Sequence, residues 1–188
     1  MSRLFLIRHG RTRANESHLY CGSTDLPLSP EGRQALLALR PRYSSCIPSG
    51  CLYITSGMIR TEQTLELLFG PAAHLQDPRL REMDFGAFEM RSYEQLKDDP
   101  AYQAWLSGDN TANPTPGGES GRQMASRAWA AFLDARRPGQ KTVIVTHGGV
   151  IAALMERLFP EAGKNRYQWQ PAPGMGYLVE EGGFRPIP

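Results

Sequence analysis

Lysine is nearly missing from this chain. Of 21 cationic residues only Lys97, Lys141 and Lys164 are lysines, which leaves 18 arginines against 19 acidic residues and a formal net charge of +2. So small an excess argues neither for nor against a nucleic-acid partner. Arginine suits planar, bidentate contacts to carboxylate and phosphate, although codon usage is explanation enough for most of these positions. Cysteine is also scarce. Cys21, Cys46 and Cys51 form neither an even set nor a CxxC pair, so a disulfide scaffold and a zinc site are both disfavoured and reduced thiols are expected. No apolar run approaches the roughly eighteen residues that a membrane span needs. The apolar residues after Arg3 are too few for the core of a signal peptide, so a cytoplasmic location is expected. Internal repeats and dividing linkers are absent, and 188 residues are most simply one domain, 1–188. Spacings of the HxxxH or HxH kind do not occur, so neither a metal nor another cofactor is expected.

What is present is an alternation of short apolar, β-branched runs with longer amphipathic stretches. This predicts an α/β domain of three layers, a mostly parallel central sheet with helices on both faces. The clearest strands are Leu4–Ile7, Leu52–Thr55 and Thr142–Thr146, with weaker ones at His74–Gln76 and Tyr177–Glu180. Ser29-Pro30 reads as an N-cap with proline at the first helical position, opening a helix that Pro41 should end. Further helices are expected over Met58–Phe69, Glu119–Arg137 and Gly149–Phe159. The segment at about 88–118 reads as two short helices broken at Pro100 and a polar loop, a helical insertion over one edge of the sheet and over the active site.

Two strands end alike. Leu4–Ile7 leads into Arg8-His9-Gly10, and Val143–Val145 leads into Thr146-His147-Gly148-Gly149 and a helix. In open α/β sheets ligands sit beyond the carboxyl ends of the strands, where both histidines fall. Gly148 and its neighbours let backbone N–H groups approach a ligand, and the helix start favours an anion. After Leu52–Thr55, Ser56 can cap a helix with Arg60 in its first turn. Helical side chains lean toward the N-terminus, so Arg60 should reach the same place. Two arginines, two histidines and a helix start make a pocket for phosphate. Taken singly these residues have duller explanations; His18 and His74 read as ordinary surface polar groups, and Trp105, Trp129 and Trp169 as packing residues.

The segments "LIRHGRTRAN", "TSGMIRTEQT", "LREMDFGAFE" and "VTHGG", in this order, resemble the histidine phosphatase superfamily and its phosphoglycerate mutase-like branch. The resemblance implies that His9 is the nucleophile that becomes a phosphohistidine. It implies that Arg8, Arg60 and His147 hold the phosphate oxygens, that Glu82 is the general acid, and that Thr12 and Asn15 add polar contacts. Arg11 stands where many members carry glutamate, which alters charge at the pocket rim. The chemistry agrees: neighbouring arginines keep a histidine neutral, and a carboxyl beside a phosphate dianion holds its proton more tightly. The segment after Glu82, with "PGGES", is most similar to the α-ribazole phosphatases.

The function expected is therefore hydrolysis of a small phosphate monoester, α-ribazole 5′-phosphate in cobalamin biosynthesis being the candidate substrate. A phosphoglycerate mutase and a non-catalytic phospho-ligand binder are the alternatives. The expected partner is a small-molecule phosphate ester, with no nucleic acid and no membrane, and the protein a monomer or homodimer.

Overall fold

The computed structural model describes residues 2–188. Four of its strands run parallel in one sheet: β1 (Arg3–Arg8), β2 (Leu52–Thr55), β3 (His74–Gln76) at one edge, and β4 (Lys141–Thr146). Two antiparallel strands, β5 (Gly176–Glu180) and β6 (Gly183–Ile187), extend the sheet on the β1 side, giving the order β3-β2-β4-β1-β5-β6. The expected α/β class, the mostly parallel sheet and the single domain are all observed.

Strand burial explains the three layers. Leu4 and Leu6 point into one apolar cluster with Ile144, Phe132, Ile151 and Trp169, whereas Phe5 and Ile7 point into a second with Leu36, Leu65, Val143 and Val145. Side chains alternate across a strand, so an uninterrupted apolar run needs cover on both faces. The first face is covered by α6 (Gly121–Ala135), α7 (Gly148–Leu158) and α8 (Arg166–Trp169), the second by α2 (Pro30–Cys46) and α3 (Ile59–Phe69). Ser29 caps α2 by accepting from the Gly32 N–H at 3.0 Å, and Ser120 caps α6 in a capping box with Gln123; each such cap contributes about 1 kcal/mol.

Two expectations fail for physical reasons. Pro41 does not end α2, which runs on to Cys46. The proline denies a donor to the Leu37 carbonyl, but Pro41 and Leu37 both lie on the exposed side, where water can serve that carbonyl. The fully buried Tyr43 then anchors the last turns, its hydroxyl 2.6 Å from Gly174 O and 3.0 Å from Pro188 O, with one hydrogen to share between them. Strand β6 is unexpected, because glycine, arginine and proline in "GFRPI" read against a strand; at the sheet's edge a proline is tolerated.

The segment at 88–118 holds α4 (Tyr93–Leu96) and α5 (Pro100–Ser107), broken at Pro100 as expected. It carries a small core of its own, Phe88, Leu96 and Tyr102, packed on Tyr20, Phe85 and Trp105. Its ties run to the stretch after the short helix α1 (Arg13–Glu16), not to an edge strand. Leu19 bridges to Ser92, Tyr20 exchanges backbone hydrogen bonds with Met90 and Arg91, and the Tyr20 and Tyr102 hydroxyls meet at 2.6 Å. Among the described residues no helix is long and apolar enough to cross a membrane.

Candidate active site

His9 follows β1 directly, and its N–H donates to Thr146 O at 2.9 Å, one step beyond the β1–β4 ladder. Gly10 is held against two helices: its N–H donates to Thr64 Oγ1 at 3.0 Å, and a Cβ there would meet Leu36 Cδ1 at 2.6 Å. The His9 ring bonds through Nδ1 to the Gly10 carbonyl at 2.6 Å. A carbonyl only accepts, so Nδ1 carries the proton. The Nε2 lone pair is left without a partner among the described residues. Burial, then the charges of Arg60 and Arg8, push the His9 pKa well below the usual 6.5. A neutral imidazole with a free Nε2 is the form a nucleophile needs.

His147 comes from the end of β4 and occupies the N-cap position of α7, its ring centroid 5.1 Å from that of His9. It is fully buried and both its nitrogens are engaged. Nδ1 accepts from Arg60 Nε at 3.3 Å, and Nε2 lies 2.9 Å from Ser56 Oγ. Since Arg60 can only donate, Nε2 carries the proton and gives it to Ser56. Ser56 then donates to Thr61 Oγ1 at 3.1 Å, and Thr61 to the Met58 carbonyl at 2.7 Å. Burial, and then Arg60 and His9, push the His147 pKa well below 6.5. The resemblance assigned His147 to the phosphate oxygens; the structure sets its ring beside that of His9 and engages both its nitrogens with protein. Ser56 likewise differs from expectation, because the N-cap of α3 is Met58 and Ser56 lies two residues before it.

Arg60, 1% exposed, reaches the histidines from the first turn of α3 as expected. Its terminal nitrogens donate to Thr24 O and Gly22 O, both at 2.8 Å, and the Asp25 carboxylate stands 4.0 Å away. Arg8 is placed differently. One terminal nitrogen donates to Pro171 O at 2.8 Å, while Nε is buried without an acceptor among the described residues. Its guanidinium lies against Gly148, where a Cβ would come within 3.0 Å of Arg8 Cζ. An orphaned cationic N–H in a buried site costs stability, about 1–3 kcal/mol or more, unless an acceptor arrives.

Glu82 approaches from a loop. One carboxylate oxygen accepts from the Gly149 N–H at 2.8 Å, at the positive end of α7, and the other from the Met83 N–H at 3.0 Å. A Cβ at residue 149 would collide with that carboxylate. Arg127 fixes the loop from behind: it pairs with Glu119 through two 2.7 Å contacts and donates to the carbonyls of Arg79, Arg81 and Glu82.

Thr12 and Asn15 are mainly structural in this arrangement. Thr12 is buried and caps α1, its hydroxyl and N–H both donating to Asn15 Oδ1. Asn15 lines a cleft of about 530 Å³ with Arg8, Arg11 and His18. A second cleft of about 460 Å³ opens beside Glu82, Asp84 and Ser23. A further cavity of about 590 Å³ lies around Ser2, Phe159 and Phe184 and holds neither histidine. His18 is exposed in the first of these clefts, and His74 stands apart, paired with Glu62 at 2.6 Å. Sequence reading saw Ser56 only as a cap and missed Arg127. An arginine in mid-helix gives no local signal of what it reaches across the fold.

The sequence profile of the histidine phosphatase superfamily (branch 1) matches residues 4–180. The "Probable phosphoglycerate mutase GpmB" of Yersinia enterocolitica is 31% identical, over 97% of this chain and 93% of its own length. That of Enterobacter sp. strain 638 is 28% identical over the same shares. Among solved structures, TTHB049 of Thermus thermophilus superposes with a TM-score of 0.76 at 29% identity, covering 99% of this chain and 98% of that one. A candidate alpha-ribazole-5'-P phosphatase of Escherichia coli K-12 superposes with a TM-score of 0.82 at 28% identity, covering 98% and 94%.

Proposed function

The chain belongs to the histidine phosphatase superfamily, and from that premise we propose that it hydrolyses a small phosphate monoester through a phosphohistidine on His9. One observation carries the reading: His9 is a neutral imidazole whose Nε2 has no partner among the described residues, and it lies within the field of Arg8, whose buried Nε has no acceptor there either.

In the first step His9 Nε2 attacks phosphorus. The bond to the ester oxygen breaks, its electron pair stays with that oxygen, and Glu82 in its acid form supplies the proton that makes the alcohol. In the second step the Glu82 carboxylate takes a proton from water, the oxygen attacks phosphorus, and the P–N bond breaks to return neutral His9 and inorganic phosphate. Arg8 Nε and the start of α7 stabilise the oxygens as charge redistributes, and Arg60 supplies fixed positive charge behind both histidines. Gly148 lies against Arg8 and Asn15 lines the cleft beside it, while Thr12 and His147 act through the protein groups they hold. The helical segment at 88–118 is assigned to cover the site, on the strength of its ties to Leu19 and Tyr20.

The proposed substrate is α-ribazole 5′-phosphate, supported by the name of the Escherichia coli neighbour. The names of the curated relatives favour a second reading, phosphoryl transfer between phosphoglycerates. A turnover screen over α-ribazole phosphate, 3-phosphoglycerate and sugar phosphates separates the two. Release of inorganic phosphate supports the hydrolase, whereas mutase turnover with little release reverses the choice. His9→Ala should lower turnover by about 10³-fold or more and lose all covalent label from a ³²P-phosphoester, with the fold kept. Wild-type labelling in that variant ends the proposal.

A further inference from the structure

Among the described residues the buried Arg60 has no carboxylate within hydrogen-bonding distance; two backbone carbonyls hold it instead. Those carbonyls belong to a loop that is itself held from its other side. The Glu89 carboxylate accepts from the N–H groups of Gly22 at 2.9 Å, Ser23 at 3.0 Å and Thr24 at 3.3 Å, and from the Thr24 hydroxyl at 2.7 Å. It also takes the Phe85 N–H at 3.0 Å. Three successive backbone N–H groups converging on one anion form a nest. The Ser23 N–H shares its peptide with Gly22 O, so that dipole is turned with its carbonyl toward Arg60, while Thr24, held on Glu89 through its N–H and its hydroxyl, presents the carbonyl of the next peptide to the same guanidinium. The loop has little freedom to do otherwise, because any side chain on residue 22 would collide with the Met83 carbonyl.

We propose that Glu89 is a positioning residue of the phosphoryl-transfer site, acting through loop 22–24 to fix the Arg60 guanidinium against His147 and His9. Glu89 bonds to none of the groups assigned to the chemistry; it acts on Arg60 through the Gly22–Ser23 peptide, whose N–H it holds and whose carbonyl Arg60 holds, and through the anchored Thr24. With the charge removed, three N–H groups would converge on an amide that cannot satisfy them. The loop would then rearrange and Arg60 would lose both carbonyls. The inference rests on the function proposed above.

The test is Glu89→Gln in the full chain, assayed for steady-state kinetics per folded molecule, inhibition by inorganic phosphate, and the pH profile of kcat/KM. The expected result is a fall in kcat/KM of about 10- to 100-fold and phosphate inhibition weakened by about tenfold. The groups facing His9 are Arg8, Arg60 and His147, with Glu82 bearing on Arg8. Arg60 helps to keep His9 unprotonated, so a displaced Arg60 should move the acidic limb of the profile upward. If Glu89→Gln does not fold, Glu89→Asp, which keeps the charge but withdraws it, should show the same changes at intermediate size. Kinetics within twofold of wild type, or a loss confined to the folded fraction with phosphate inhibition and pH profile unmoved, would overturn the assignment. A wild-type protein that neither turns over phosphoesters nor is occupied by phosphate would instead fail the underlying function and remove the ground for Glu89 with it.

Discussion

The two halves of the site differ in how much of their hydrogen-bonding capacity is already used. Around His147 and Arg60 nearly every polar atom has a protein partner: both imidazole nitrogens, Arg60 Nε and both its terminal nitrogens, Ser56 and Thr61. Around His9, Arg8 and Glu82 capacity is left over among the described residues, with Nε2 of His9 free and Arg8 Nε orphaned, while Glu82 is held only by backbone N–H groups, those of Met83 and of Gly149 at a helix start. The first half is a support that sets charge and orientation. The second offers the atoms that a substrate would meet. Two histidines 5.1 Å apart therefore do different work, and what separates them is their partners and not their position along the chain.

The sharpest way to break this division is at Glu82. Glu82→Gln removes the proton donor from the open half and should slow hydrolysis of alkyl phosphates by about 10²–10⁴-fold. Aryl phosphates, whose leaving groups need less protonation, should suffer far less. Equal losses on both classes would mean that Glu82 is not the acid. A smaller effect is expected from the closed half. Ser56→Ala leaves the buried Nε2–H of His147 without an acceptor and should destabilise the protein by about 1–3 kcal/mol, read as a lowered denaturation midpoint, with turnover reduced only a few-fold. A large kinetic loss at unchanged stability would show the closed half taking part in the chemistry. The mildest probe is acid. His9 and His147 both have pKa values lowered well below 6.5 by burial. Below about pH 6.5 the unfolded chain therefore binds protons at these sites that the folded chain refuses. Their contribution to stability is present above that pH and falls by up to about 1.4 kcal/mol per pH unit for each histidine as pH drops toward the folded values. Urea midpoints at pH 7 and 5.5 check it: no steeper decline in wild type than in a His147→Gln variant would contradict His147 being held neutral.

Much of this arrangement is legible in the sequence because it is written locally. Uninterrupted apolar runs mark the central strands, Ser29-Pro30 marks a helix start, and the two histidines sit in the turn after a strand where topology sends ligands. Arg60 is legible because a helix start and the lean of its side chains define its reach. What cannot be read depends on contacts made across the fold. Ser56 matters through an imidazole 91 positions away, Arg127 through carbonyls 45 to 48 positions away, and Glu89 through a loop some 65 positions earlier. Pro41 and β6 run against expectation because proline rules apply to buried backbone, and both positions have an exposed side. Thr12 and Asn15 satisfy a motif, but their hydrogen bonds serve a cap.

The string of hydroxyls behind His147 has one further consequence. It starts at a guanidinium, which has no lone pair to give, and ends at a carbonyl, which has no hydrogen, so its polarity cannot be reversed. That leaves one imidazole of the two able to form a bond to phosphorus. Any phosphoryl group the chain accepts would carry a single address, the Nε2 regioisomer on residue 9, and would not migrate to the neighbouring ring during the life of the intermediate.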